Sequence, residues 1–406
     1  MKSINCYFDR LISLSIIAIC ICNSPLQAGA AAKSVNEKQV ERAFEQAQAV
    51  NSIQAWDDFL TQYGRFSKES PQIRRFIDQA RWAIEQLIFD SGSSETCRIC
   101  HEEIYAEWKS SFHAKAWTDT LFRYSTQDYQ KRECLPCHAP EPIFETGLWR
   151  KPSVRKTNRE EGVSCFSCHV LRSGLTNSVV GPYRDSETWA HESLADRQFK
   201  AGEMCGVCHR VTHEEWQKID RENEVLLTRS KSEYTCQTCH MSKVNVARSV
   251  GTKGPLRQST RAHDFLGGHS KRQLREALKN YSVQIKNGKL LLRIVNYATA
   301  HAMPTGMSGK KFIFQARVFD ENNNPVPLRD GMVTEIFEAV YARPMMAGLE
   351  MQSDRSDSSG SAIGTSKIFQ RQYPLPIRNG KVMYKIIYVS GIDGEEQRIV
   401  SDELQF

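Results

Sequence analysis

Cys97-Arg98-Ile99-Cys100-His101 is the stretch that decides how the rest of the chain is read. Its pattern is two cysteines three positions apart, with a histidine directly after the second. The pattern returns as Cys134-Leu135-Pro136-Cys137-His138, Cys165-Phe166-Ser167-Cys168-His169, Cys205-Gly206-Val207-Cys208-His209 and Cys236-Gln237-Thr238-Cys239-His240. The chain has 406 residues and 13 cysteines. Cys6, Cys20 and Cys22 lie near the N-terminus, and the other ten all fall in these five copies. At this cysteine and histidine content, chance would supply about 0.01 copies of the pattern.

The spacing has a mechanical reading. Two thiols three residues apart reach the two vinyl groups on one edge of a haem, and the next histidine then coordinates the iron. Zinc sites also pair cysteines at this spacing but need no histidine directly after the second. Disulfides need none either. Five covalently bound c-type haems are therefore expected. Their thioethers are Cys97, Cys100, Cys134, Cys137, Cys165, Cys168, Cys205, Cys208, Cys236 and Cys239, and their proximal irons are bound by His101, His138, His169, His209 and His240.

The formal charge of +7 is no argument for nucleic acid, because five haems would bring roughly ten propionate charges. Residues 1–30 read as a signal peptide. Lys2 and Arg10 precede an apolar run from Leu11 to Cys22, and Ala28-Gly29-Ala30 is a small-x-small cleavage site. The run is shorter than the ~18–20 residues of a spanning helix, so no transmembrane segment is expected after signal removal. The expected location is periplasmic, or exported to the outer cell surface, as covalent haem attachment needs.

Outward from the motifs, the texture changes twice. In residues 31–92, Val40, Phe44, Ala47 and Val50 recur at helical spacing. So do Trp56, Phe59, Leu60 and Tyr63, and then Phe76, Ala80, Ala83 and Leu87, with Ser70-Pro71 breaking the last two stripes. This region reads as an N-terminal helical hairpin, either a cap on the haem domain or a docking module. Residues 93–278 hold all five motifs, with sparse, mainly α or irregular structure. Residues 279–406 alternate as strands: Tyr281, Val283 and Ile285, a turn at Asn287-Gly288, then Leu290, Leu292 and Ile294. Phe312, Phe314, Ala316 and Val318 alternate again. A last hairpin is expected near Asn379-Gly380, a loop over Ser353 to Ser366, and a β-sandwich overall. The fold class is mixed.

Five of the 11 histidines are spent in the motifs. Six remain for the sixth coordination positions: His113, His191, His213, His263, His269 and His301. The expected distal ligands are His113, His191, His263, His269 and His301, with His213 weakest because it follows its own motif by four residues. His263 and His269 flank Asp264-Phe265-Leu266-Gly267-Gly268, where glycines let backbone approach a haem face. His301 precedes Met303-Pro304-Thr305-Gly306 between two strands, and would tie the β-rich region to a haem. Met204, Met303 and Met307 read as core residues rather than ligands, and Met241 follows His240 too closely to reach the far face of its haem.

Trp108-Lys109 and His113-Ala114-Lys115-Ala116 after the first motif, Thr126-Gln127-Asp128 before the second and Gly162-Val163 before the third resemble the tetrahaem cytochrome c-554 family. That family is related to hydroxylamine oxidoreductase and pentahaem nitrite reductase. The resemblance runs over about residues 95–210. It implies closely stacked haem pairs, an electron-carrier role, and distal ligation by His113 and His191. The fifth motif and both flanks depart from it. The run from Asn296 through His301 to Gly306 looks like an element of other multihaem cytochromes. The related nitrite reductases bind their catalytic haem through lysine, whereas all five motifs here end in histidine.

The expected function is electron transfer through mostly bis-histidine haems in a respiratory pathway. The expected partners are a quinol-linked donor, a dehydrogenase or a terminal acceptor, or a larger multihaem complex of which this chain is a subunit. The alternative is a redox enzyme acting on a small nitrogen or sulfur compound at one five-coordinate haem. Electron carriage is favoured, because the spare histidines nearly match the irons.

Overall fold

A computed structural model describes residues 35–173, 176–183, 190–222, 235–245, 248–249, 256–257, 259–306, 309–327, 336–339, 368–390 and 394–406. The expected signal segment and the expected loop at Ser353–Ser366 lie outside the described residues.

The N-terminal region forms three helices rather than two: α1 (Glu37–Val50), α2 (Ile53–Tyr63) and α3 (Pro71–Ser91). Each starts at a side chain that accepts a backbone N–H: Asn36 from Lys38, Ser52 from Ala55, and Ser70 from Ile73, with Pro71 at the first helical position. The three apolar stripes meet in one cluster that also holds Phe166 and Val170 from the third motif segment. Phe89 and Phe166 meet edge to face, ring centroids 6.3 Å apart. The helices thus share their core with the motif region, as a cap does.

In the middle of the chain, short helices alternate with loops. Those that position the histidines discussed below are α4 (Glu102–Ser110), α5 (Phe112–Lys115) and α6 (Arg210–Glu222). Strands β1 (Val170–Ser173), β2 (Thr176–Gly181) and β3 (Glu192–Ala195) form a small sheet; β2 pairs antiparallel with β1 and parallel with β3.

The C-terminal region has two sheets. Strand β4 (Tyr281–Lys286) turns at Asn287-Gly288, both at positive φ, into β5 (Lys289–Val295), which also pairs with β9 (Ile368–Pro374). The second sheet is built on β6 (Lys310–Phe319). It pairs with β7 (Pro325–Val326), β8 (Ile336–Ala339) and β10 (Lys381–Ser390), and β10 pairs with β11 (Glu396–Gln405). Leu290, Leu292 and Ile294 of one sheet share a buried cluster with Phe312, Phe314, Ala316, Val382 and Ile386 of the other. Phe314 stacks on Tyr373 across the two. Asn379-Gly380 is not a hairpin turn. It lies on the passage from β9 in one sheet to β10 in the other. Pro374 and Pro376 cannot donate ladder hydrogen bonds, so β9 stops before it can fold back on itself.

Candidate haem centres

Each motif sits on a helical turn of four or five residues. The third is the most firmly built. Ser164 and Ser167 form a reciprocal capping box around Cys165–His169, and the buried Arg155 guanidinium donates to Ser164 Oγ (2.7 Å), Ser167 Oγ (3.2 Å) and Gly162 O (3.1 Å). Arg155 N also donates to Ala139 O, beside the second motif, at 2.7 Å. One buried residue therefore ties two motifs together, by its backbone to the second and by its guanidinium to the third.

The imidazoles are oriented by backbone. Nδ1 of His138 donates to Ala116 O (2.7 Å), that of His169 to Val180 O on β2 (2.8 Å), and that of His240 to Leu266 O (2.5 Å). Among the spare histidines, His263 Nδ1 reaches Arg261 O (3.1 Å) and His301 Nδ1 reaches Ala302 O (2.8 Å). With Nδ1 carrying the proton, Nε2 offers its lone pair to a metal. Burial pushes the imidazole pKa of His113 down to about 3, and those of His101, His209 and His301 down to about 4. The neutral form, which is the ligating form, is favoured in each case.

Three spare histidines face motif histidines across similar gaps. Ring centroids are 6.1 Å apart for His113 and His209, 6.2 Å for His169 and His263, and 6.2 Å for His240 and His301. Two imidazoles on one iron, each nitrogen about 2 Å from the metal, put their ring centres about 6 Å apart. The gaps therefore fit a haem iron. His191 lies near His101 and is the largest charged influence on it.

The remaining histidines are placed differently. His138 stacks flat on Phe122, with centroids 3.7 Å apart, and among the described residues no second imidazole faces its ring. His269 is exposed and stacks on Phe112 at 3.6 Å. His213 lies over Gly206 and beside Trp216, where it packs α6 onto the fourth motif. Gly268 passes close to the Tyr388 hydroxyl of β10, so its missing side chain admits a tyrosine from the C-terminal sheet. Met303 is 2% exposed within the β-rich core. Met307 lies outside the described residues.

His113 is held from behind. Its carbonyl accepts from Val163 N (2.9 Å), and Trp108 Nε1 donates to Val163 O (2.8 Å). Gly162 has φ +60°, and a Cβ there would overlap the His113 carbonyl. The Gly162-Val163 dipeptide is thus the surface against which α5 rests.

The motifs also touch one another. Cys97 contacts Cys165, Cys137 contacts Cys208, and Cys205 contacts Cys236. Cys168 lies near both Cys205 and Cys208. Every motif is therefore adjacent to at least one other, and the fourth lies at the centre.

Residues 96–170 match the family of cytochrome c554 and c-prime. The matched stretch holds the first three motifs, and the fourth lies beyond it. Cytochrome c-552 of Maridesulfovibrio salexigens is 22% identical over 203 residues, covering 43% of this chain. The match spans 36% of that protein's length. These similarities support likeness to multihaem c-type cytochromes with covalently bound haem. Two solved structures, the Northeast Structural Genomics Consortium target SoR45 and the ApaA protein of Bordetella pertussis, are each 14% identical over 31% of this chain. The matches cover 78% and 95% of those chains at a TM-score of 0.16. Among the described residues, no helix is long and apolar enough to cross a membrane.

Proposed function

We propose that this chain is an exported pentahaem cytochrome that carries electrons between redox partner proteins. The observation that carries the proposal is the set of three imidazole pairs 6.1–6.2 Å apart. Bound haem would supply reversible one-electron storage. The ten motif cysteines anchor it. His101, His138, His169, His209 and His240 would each hold an iron, and His191, His263, His113 and His301 would supply the second ligand to the irons of His101, His169, His209 and His240 respectively. Paired backbone-oriented imidazoles, as at His169 with His263 and His240 with His301, would keep a site closed to small ligands, which suits a carrier better than a catalyst. The touching motifs give a continuous run of attachment points, first to third to fourth to fifth, with the second beside the fourth. In this reading residues 1–30 are the signal, 31–92 the helical cap, 93–278 the haem domain and 279–406 a β-sandwich that contributes His301. The donor would be a quinol-linked protein or dehydrogenase, and the acceptor a terminal oxidant or a larger multihaem complex.

A second reading rests on His138. With no imidazole facing its ring, that centre is the place for an open sixth position, and hence for chemistry on a small nitrogen or sulfur compound. We place His269 outside the ligand set, because its ring lies on Phe112 at the surface.

The test is a haem count with a ligand challenge on the exported protein. Alkaline pyridine spectra are expected to give five haems per chain, with no more than one binding nitric oxide or cyanide in the ferric or ferrous state. Fewer than five haems, or ligand binding at several of them, overturns the carrier reading.

A further inference from the structure

Two glutamates stand at matching places in different motif segments. Glu107 is six residues past His101, and Glu215 is six residues past His209. Each lies on the helix that follows its motif, α4 and α6 respectively. Glu107 reaches a spare histidine, and Glu215 reaches the residue directly after one; each of these histidines faces the histidine of another motif. Glu107 Oε2 accepts from His263 N at 2.9 Å, and the His263 ring faces His169. Glu215 Oε2 accepts from Ala302 N at 3.2 Å and from Thr305 Oγ1 at 2.5 Å, both just after His301 in the chain, and the His301 ring faces His240. Thr212, one turn before Glu215 on α6, meets Thr305 Oγ1 at 2.9 Å.

The contacts join distant parts of the chain, 156 residues apart for Glu107 and 87 and 90 for Glu215. A carboxylate accepting a backbone N–H makes a charge-assisted bond, about twice as strong as a neutral one. Neither glutamate needs to touch a haem for this. Each holds the backbone of a ligand whose ring does.

We infer that Glu107 and Glu215 are positioning residues that lock the distal histidine of a neighbouring haem, so that the first motif's helix sets His263 and the fourth motif's helix sets His301. The inference rests on the ligand pairing proposed above. It adds that correct seating of one haem segment fixes the axial field of the next. A shift of α4 or α6 is passed to another iron through one carboxylate.

The test uses the full haem-loaded protein and low-temperature EPR with cyanide titration. Glu215→Ala is expected to convert a single haem partly to high spin and to raise its cyanide affinity by about tenfold, the effect of losing one or two charge-assisted bonds. Glu107→Ala is expected to do the same at a different haem, with its own reduction potential. Glu215→Gln and Glu107→Gln keep an oxygen acceptor and are expected to restore the low-spin signal, which a general loss of packing would not do. His301→Ala and His263→Ala serve as references. If these histidine variants convert one haem each while the glutamate variants stay fully low-spin and closed to cyanide, the pairing stands and the locking role is overturned. If the histidine variants leave every haem unchanged, the pairing falls, and the locking role with it.

Discussion

Gly162 shows how one residue can set the position of a histidine without touching its ring. Its positive φ and missing side chain let the chain press against the His113 carbonyl, and Val163 then donates to that carbonyl. Gly162→Ala combines a disfavoured backbone conformation, costing about 1–2 kcal/mol, with a steric overlap. It is expected to displace His113 and produce a high-spin signal from the His209 centre, measured by EPR on the loaded protein. Asn296 works by hydrogen bonding alone. Fully buried, it donates to His301 O at 2.9 Å and accepts from Thr299 N and Oγ1. Asn296→Ala leaves buried polar groups unpaired and is expected to cost about 1–3 kcal/mol, read from the denaturant midpoint.

At the scale of elements, legibility depended on how local each signal was. The motifs, and the Asn287-Gly288 hairpin between two alternating runs, were readable because every residue involved lies within a few positions. Asn379-Gly380 carries the same dipeptide, yet it joins two sheets. The deciding signal was the pair Pro374 and Pro376 upstream, which ends β9 early. Ser70-Pro71, which reads as a break between two stripes, starts α3, with Ser70 accepting from Ile73 N. Ser70→Ala is expected to cost about 1 kcal/mol of cap stability, visible as a small drop in melting temperature. Glu107 and Glu215 were not legible, since their partners lie 87 or more residues away and a glutamate on a helix reads as a solvated face. His269 is expected as a ligand because the flanking glycines would let backbone approach a haem face. Its place against Phe112, and that of Gly268 against Tyr388, follow from packing between segments that no spacing reveals.

Across the whole molecule, the haem region is gripped from both ends. The N-terminal helices share a core with Phe166 inside the third motif, and the C-terminal sheets send His301 to the fifth. Phe166 is among the largest fully buried side chains. Phe166→Ala is expected to cost about 3–5 kcal/mol, with α1–α3 and the haem absorbance melting together. Separate transitions would show that the helices fold as an independent module. The short helices of the middle region have little apolar surface to share among themselves, so their order depends on these two flanks and on the groups they hold.

The central claim is that four irons are held between paired imidazoles. Quantitative low-temperature EPR with near-infrared magnetic circular dichroism on the oxidised, fully loaded protein tests it most directly. The account predicts four low-spin bis-imidazole haems per chain, with any high-spin or ligand-binding centre confined to one. Fewer than four bis-imidazole haems, or methionine-type charge-transfer bands in their place, would contradict it.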